Sequence, residues 1–286
     1  KVWSDSPNFA SCDQLERGLP VALEGEFFLS AFGVDARRWS LSPLDEMQTQ
    51  EFFDGNEERR LTDEADFGMT LQAVGSISDP RLRRLAEAFL EEFGQRFRRA
   101  AAARHHHHAF RGGLLRHVAQ MLRSVNAICG AYPALNRDLL LVGALVHDCG
   151  KMWEMCPPEI GYEIPREVRG ELLGHISIGI EVVNALWRKL PLEEWKSLTP
   201  SSENVRLHLL HLIASHHGEC QFGSPVEPKT PEAIALHFID NLDAKLAMIF
   251  SAYERLPEIT PGVYERVRAL NVSPVRALDQ FRTSQD

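Results

Sequence analysis

LNRDLLLVGALVHDCGK, residues 135–151, decides how the rest of the chain is read. From Leu139 to Val146 it carries no polar side chain, which is the composition of a helix buried on every side. This is the longest apolar run in the chain. It falls well short of the ~18–20 residues needed to span a bilayer. The run stops at His147-Asp148, with Gly150 placed to supply a C-terminal turn. Two ionisable side chains at the end of a buried helix are costly unless they are paired or coordinated. Lys151 follows closely enough to reach a phosphate held at that pair, where an ammonium neutralises developing charge. The helix dipole gives the same lysine a purely structural reason to sit there.

Outward from this stretch the reading is helical from residue 76 onward. Asp79-Pro80 opens a helix that runs to about Arg99, with aspartate as N-cap and proline at the first position. Further helices are expected at 113–130, 137–148, 167–189, 203–217 and 230–254. Pro133, Pro157-Pro158, Pro191, Pro200, Pro225 and Pro228 fall in the gaps. Helical phase then makes the histidines informative. His117 lies within the stripe Leu114, Val118, Met121, Val125, Ile128. His175 lies between the first two members of Leu172, Gly179, Val182, Leu186. His216 follows Leu209, Leu212 and Ile213. Asp240 borders the core stripe expected at Ala235, Phe238, Leu242, Leu246 and Ile249. A single inward histidine is usually a hydrogen-bonded core residue. Several of them with two inward carboxylates in one bundle point to a shared metal centre, which removes the burial cost for all. Imidazole with carboxylate suits Mn, Fe, Co, Ni or Zn. The chemistry indicated is metal-assisted hydrolysis of a phosphate ester.

The remaining sequence sets looser bounds. With 286 residues the chain has room for one large or two smaller domains. Its net charge of −9 does not mark an obvious nucleic-acid binder. That charge is uneven. Glu57-Glu58 and Asp63-Glu64-Ala65-Asp66 lie in an acidic first part, whereas arginines dominate from Arg81 to Arg123. The arginines form either a surface for a phosphate chain or a solvated helix face. Residues 1–75 form an N-terminal region of unclear fold, 76–258 a helical domain and 259–286 a partly helical tail. Val21 to Phe32 suits a strand or short helix, and Trp39 to Met47 a loop leading into a helix. Phe27, Phe28, Phe32 and Trp39 form a stacking face or, more commonly for such residues, core. The five cysteines are scattered, without a CxxC pair, which fits a reducing cytoplasm. No signal-peptide core is present at the N-terminus given, and no membrane association is expected. His105 to His108 are internal and are not read as a tag.

Three stretches carry a family resemblance: HHAFRGGLLRH (107–117), LNRDLLLVGALVHDCGK (135–151) and SHHGECQFGSPVEPKTPEAIALHFIDNLDAK (215–245). Through them, residues 76–254 resemble the HD domain of YhaM-type 3′→5′ exoribonucleases, within the wider HD superfamily of metal-dependent phosphohydrolases. The resemblance implies an all-α HD-domain helical bundle with a small irregular or mixed N-terminal region. It implies His117, His147, Asp148, His175, His216 and Asp240 as ligands of two divalent transition metal ions, bridged by Asp148. His217 either replaces His216 as ligand or hydrogen-bonds substrate, since adjacent imidazoles on a helix point about 100° apart. Asp148 and Lys151 are the expected catalytic pair. Arg111 and Lys245 are candidates for phosphate contacts. Asp243 is either an orienter of a ligand histidine or a surface carboxylate. The implied activity is hydrolysis of phosphodiester bonds in RNA or short oligonucleotides, as a 3′→5′ exonuclease. Hydrolysis of mononucleotides or cyclic nucleotides, a non-catalytic nucleotide-sensing module and a di-iron oxygenase are the alternatives. Two features depart from the family pattern. Residues 1–75 are short for the N-terminal OB-fold its members usually carry, and Cys149 stands where a branched apolar residue is more usual.

Overall fold

The computed structural model describes residues 4–15, 19–30, 33–54, 57–104, 108–159 and 163–279. The described elements are α1 (Phe9–Asp13), β1 (Val21–Ser30), β2 (Gly33–Pro43), α2 (Glu46–Asp54), α3 (Glu57–Gly75), α4 (Pro80–Arg99), α5 (Gly113–Ala131) and α6 (Arg137–Val146). They continue with a 3-10 turn at Cys149–Trp153, α7 (Val168–Arg188), α8 (Ser202–Ser215), α9 (Pro231–Arg255), β3 (Glu258–Thr260) and β4 (Val263–Tyr264). The fold is helical, with only two small two-stranded sheets, β1-β2 and β3-β4, among the described residues.

The helix boundaries follow local chemistry. The Asp79 carboxylate accepts from the backbone N–H of Arg81 and Leu82, and Pro80 opens α4. Asn136, Ser201 and Thr230 cap α6, α8 and α9 through their side-chain oxygens. Helix α6 is the axis of the bundle. Every residue from Leu139 to Val146 is buried, and α4, α5, α8 and α9 all pack on it. Each fully buried leucine there contributes roughly 1.5–3 kcal/mol. Gly143 sets the approach of α8, because a Cβ at that position would meet Leu212 Cδ1 at 2.5 Å.

Two stripes differ from the sequence expectation. On α7, Leu172 is exposed, because the helix breaks at Gly174 (φ 69°, ψ 157°) and helical phase does not carry across the break to His175. On α9, Phe238, Leu242 and Leu246 are exposed, and Ala233, Leu236 and Ile239 form the buried face. This helix is apolar on two sides, so periodicity alone cannot rank them.

The N-terminal region holds an antiparallel hairpin, β1 with β2, whose register shifts between Glu24 and Glu26. Trp39 therefore lies in a strand rather than in a loop, and α2 begins after it. Phe27 is exposed rather than in the core, while Phe28 and Trp39 are half-buried; Phe32 lies outside the described residues. The charge reversal along the sequence has a structural meaning. Helix α3 packs on α5, and Glu64 pairs with Arg98, Asp63 with Arg116, and the buried Asp66 with Arg123. At the other end, residues 259–279 contain no helix and instead form β3, β4 and isolated bridges. Among the described residues no helix is long and apolar enough to cross a membrane.

Candidate metal centre

Asp148 is the centre of the site, at the point where α6 gives way to the 3-10 turn. Its side chain is 2% exposed. One oxygen, Oδ2, faces His147 Nε2 at 3.3 Å, His117 Nε2 at 3.8 Å and the Lys151 ammonium at 2.6 Å. The other, Oδ1, faces His216 Nε2 at 3.5 Å and His175 Nε2 at 3.6 Å. Asp240, from α9, closes the first group: its Oδ1 lies 3.3 Å from His117 Nε2 and 4.0 Å from His147 Nε2. His217 closes the second, with its Nε2 3.3 Å from that of His175. The imidazoles and carboxylates thus fall into two sets that share one buried carboxylate.

The local backbone explains the convergence. Helix α8 ends at Ser215, so His216 and His217 lie in the turn beyond it and are not splayed by helical geometry. Both reach the same set, which answers the open choice between them as far as position goes. Gly150 lets α7 approach: a Cβ there would lie 1.9 Å from the His175 carbonyl oxygen. It has no positive φ, so close approach rather than a left-handed turn is its role.

All five imidazoles are anchored at Nδ1. His147, His216 and His217 donate from Nδ1 to the carbonyls of Ala144 (2.9 Å), Ile213 (2.8 Å) and Phe222 (2.8 Å). A carbonyl only accepts, so these Nδ1 atoms carry the proton and each neutral ring presents a bare Nε2. His117 Nδ1 lies 2.7 Å from Asp243 Oδ2, and His175 Nδ1 lies 3.2 Å from Glu154 Oε2. Carboxylates and carbonyls behind a ligand histidine fix its tautomer and raise its basicity.

Charge is balanced unevenly across the two sets. Burial alone would raise the Asp148 carboxyl, but Lys151, His147 and His216 hold it well below the usual carboxylate range. Burial would lower His117, yet its contacts with Asp240 and Asp243 raise it to about 9. Burial, together with His216 and His175, pushes His217 down to about 4. Burial also lowers His216, opposed by Asp148. Asp240 and Asp243 sit below the usual carboxylate range, their burial outweighed by contacts with His117 and, respectively, His147 and His108.

The donor set fits divalent cations on an observation independent of spacing. Asp148 Oδ1 and His216 Nε2 are buried and have no hydrogen-bond partner within the protein. Buried polar atoms left in that state are rare and costly, and a cation between them satisfies both. Oxygen and imidazole nitrogen are the donors of Mn, Fe, Co, Ni and Zn sites.

Two sequence candidates lie elsewhere. Lys245 is exposed, and five residues of helix place it roughly 140° around α9 from Asp240. Arg111 donates to the carbonyls of Pro158 and Glu159, both at 2.7 Å, and does not reach the metal set through any of these bonds. Arg104 donates to the Glu154 carbonyl at 2.6 Å and pairs with Glu171. Sequence reasoning missed Glu154, His108 and His237. Glu154 and His108 act through tertiary contacts that no spacing reveals. His237 is half-buried on α9, with Nδ1 2.8 Å from the His216 carbonyl.

A helical bundle that brings H…HD…H…HH…D to one point defines the class, and residues 113–245 belong to the HD domain family. Curated relatives narrow this. The chain is 38% identical over 200 residues to the 3′-5′ exoribonuclease YhaM of Bacillus subtilis (strain 168). It is 40% identical over 200 residues to that of Bacillus velezensis and 37% over 201 residues to that of Bacillus licheniformis. Each match takes in 70% of this chain and 59% of the relative, so the chain spans about three-fifths of the curated relatives' length. No solved structure matches the chain.

Proposed function

We propose that this chain is a divalent-metal-dependent phosphodiesterase that shortens RNA from its 3′ end. The observation that carries the reading is the pair of donor sets around Asp148, with every Nδ1 anchored and every Nε2 turned to the shared carboxylate. The similarity to proteins named 3′-5′ exoribonucleases supplies the substrate and polarity. His117, His147, Asp148 and Asp240 would hold one ion; His175, His216, His217 and Asp148 would hold a second. Divalent ions at such a site polarise phosphoryl oxygens and lower the pKa of water.

The chain's own groups do the rest. Asp148 keeps both sets at one separation and holds the Lys151 ammonium at 2.6 Å. Lys151, 13% exposed, is placed to meet a phosphate oxygen and to stabilise charge on the departing one. Asp243 and Glu154 orient His117 and His175 from behind. We assign this chemistry to the helical unit over residues 76–258, against which α3 packs. The cysteines present are unpaired, in accord with a reducing cytoplasm.

One observation favours small nucleotides as an alternative substrate. Arg98, Arg116 and Arg123 are neutralised by acids of α3 and offer no basic track for a strand. Incubation with 5′-labelled RNA, single-stranded DNA, dinucleotides and cyclic nucleotides under Mn²⁺ separates the readings. A ladder descending by single nucleotides from RNA is expected. Cleavage confined to the small substrates would replace the exonuclease with a nucleotide phosphohydrolase.

A further inference from the structure

We infer that His108 is a positioning residue of the metal centre, acting on His117 through a carboxylate oxygen that the two imidazoles share. The inference rests on the metal-centre reading proposed above. His108 Nε2 lies 3.0 Å from Asp243 Oδ2, and His117 Nδ1 lies 2.7 Å from the same atom. The three side chains are 11%, 10% and 1% exposed. Two N–H donors on one oxygen fix the carboxylate in direction as well as distance, and the second donor comes from outside the ligand set.

The backbone around His108 is built for this contact. His108 has φ 53°, a left-handed conformation that non-glycine residues seldom adopt, histidine being among the more tolerant. Its carbonyl accepts from the Ala102 N–H at 3.2 Å and abuts the first residue of α5. A Cβ on Gly113 would lie 2.0 Å from that carbonyl oxygen, so glycine is required there. Gly112, at φ 83°, turns the chain into α5. The glycine pair therefore seats the loop against α5, and the loop carries the imidazole to Asp243.

The need for a second donor is visible on the other side. Asp243 and His108 line a cleft of about 630 Å³ with Phe110, Arg116 and Phe250. Arg116 faces Asp63 and Asp66 there. Without the His108 ring, one donor would hold Asp243, and the carboxylate could turn into the cleft and into water. His117 would then lose the partner that assigns its proton to Nδ1 and leaves Nε2 for the cation.

Titration of the metal-free protein with Co(II), followed by its visible absorption, tests this without any substrate. His108→Gly removes the ring and eases the backbone; His108→Ala removes the ring alone; His108→Gln restores an N–H where Nε2 stood. The glycine and alanine variants should bind Co(II) roughly 10–100-fold more weakly at one site, with an altered band for that site. The glutamine variant should recover both affinity and band. A glycine variant that titrates like the wild type overturns the role, as does a glutamine variant no better than glycine. Wild-type protein that takes up no Co(II) overturns instead the metal-centre reading on which the role rests.

Discussion

Replacing Gly150 by alanine should dismantle half of the metal centre by steric means alone. The added Cβ would stand 1.9 Å from the His175 carbonyl oxygen and 2.7 Å from His175 Cα. Real Cβ contacts essentially never fall below 3.0 Å, so the 3-10 turn and α7 must part by about 1.1 Å. Both atoms belong to backbone, so no side chain can swing aside. Overpacking of this kind costs about 1–3 kcal/mol. For a chain of this size that is a fall of roughly 2–12 °C in Tm, at about 2–4 °C per kcal/mol. The larger effect falls on the site. A shift of about 1 Å far exceeds the ~0.2 Å tolerance of metal–ligand distances, and it acts on His175, whose Nε2 faces Asp148 and His217. Elemental analysis should show Gly150→Ala losing metal relative to the wild type, with the His117 set retained. Gly130→Ala is the control: nothing lies within 4 Å of a Cβ there, and α5 should gain about 0.5–1 kcal/mol. If Gly150→Ala kept the wild-type metal content and Tm, the close approach of α7 would not be what organises the site.

Asp148→Ala should strip metal from both sets and abolish turnover, read by elemental analysis and by RNA digestion under Mn²⁺. Lys151→Ala should keep its metal and lose roughly 10²–10³-fold in rate; an unchanged rate would return the lysine to a helix-end role. Arg111→Ala should lower Tm and leave oligonucleotide affinity unaltered, because its guanidinium is engaged by two carbonyls; a steep loss of affinity with unchanged Tm would restore it as a phosphate contact. His117 gives a pH signature. Its folded value, about 9, lies above its ordinary 6.5, so the stability it contributes to the metal-free chain is complete below 6.5 and is lost as pH rises through about 9. Metal loading near neutral pH should accordingly release close to one proton from this ring, measurable with an indicator dye in weak buffer.

The helices from α4 to α9 were legible because their signals are local: an aspartate before proline, a serine or threonine cap, an apolar run. The ligand histidines were legible because a buried ionisable residue in a helix needs a reason. Legibility failed where the decisive contact was tertiary. Phe238, Leu242 and Leu246 form as regular a stripe as Leu236 and Ile239, and only the placement of α9 shows which face is inside. Leu172 misled because Gly174 resets the helical phase just before His175. His216 and His217 converge because α8 stops one residue earlier, a difference within the usual error of a helix boundary. Arg111 looked like a phosphate ligand because sequence reports its charge and not the carbonyls of Pro158 and Glu159. The acidic and basic blocks looked like surfaces, yet they are in part the two sides of one contact, α3 against α4 and α5.

The anchored rings have a consequence for how the site fills. A free imidazole turns about its Cβ–Cγ bond and offers a cation either nitrogen, and an unfolded chain must choose among many such combinations each time it binds. Here that choice is made as the protein folds, by the carbonyls of Ala144, Ile213 and Phe222 and by the carboxylates of Asp243 and Glu154. Little conformational entropy is left to lose at the moment of binding. Filling the site is then governed by the water each cation must shed, and an ion that escapes leaves behind a cage still shaped to receive the next.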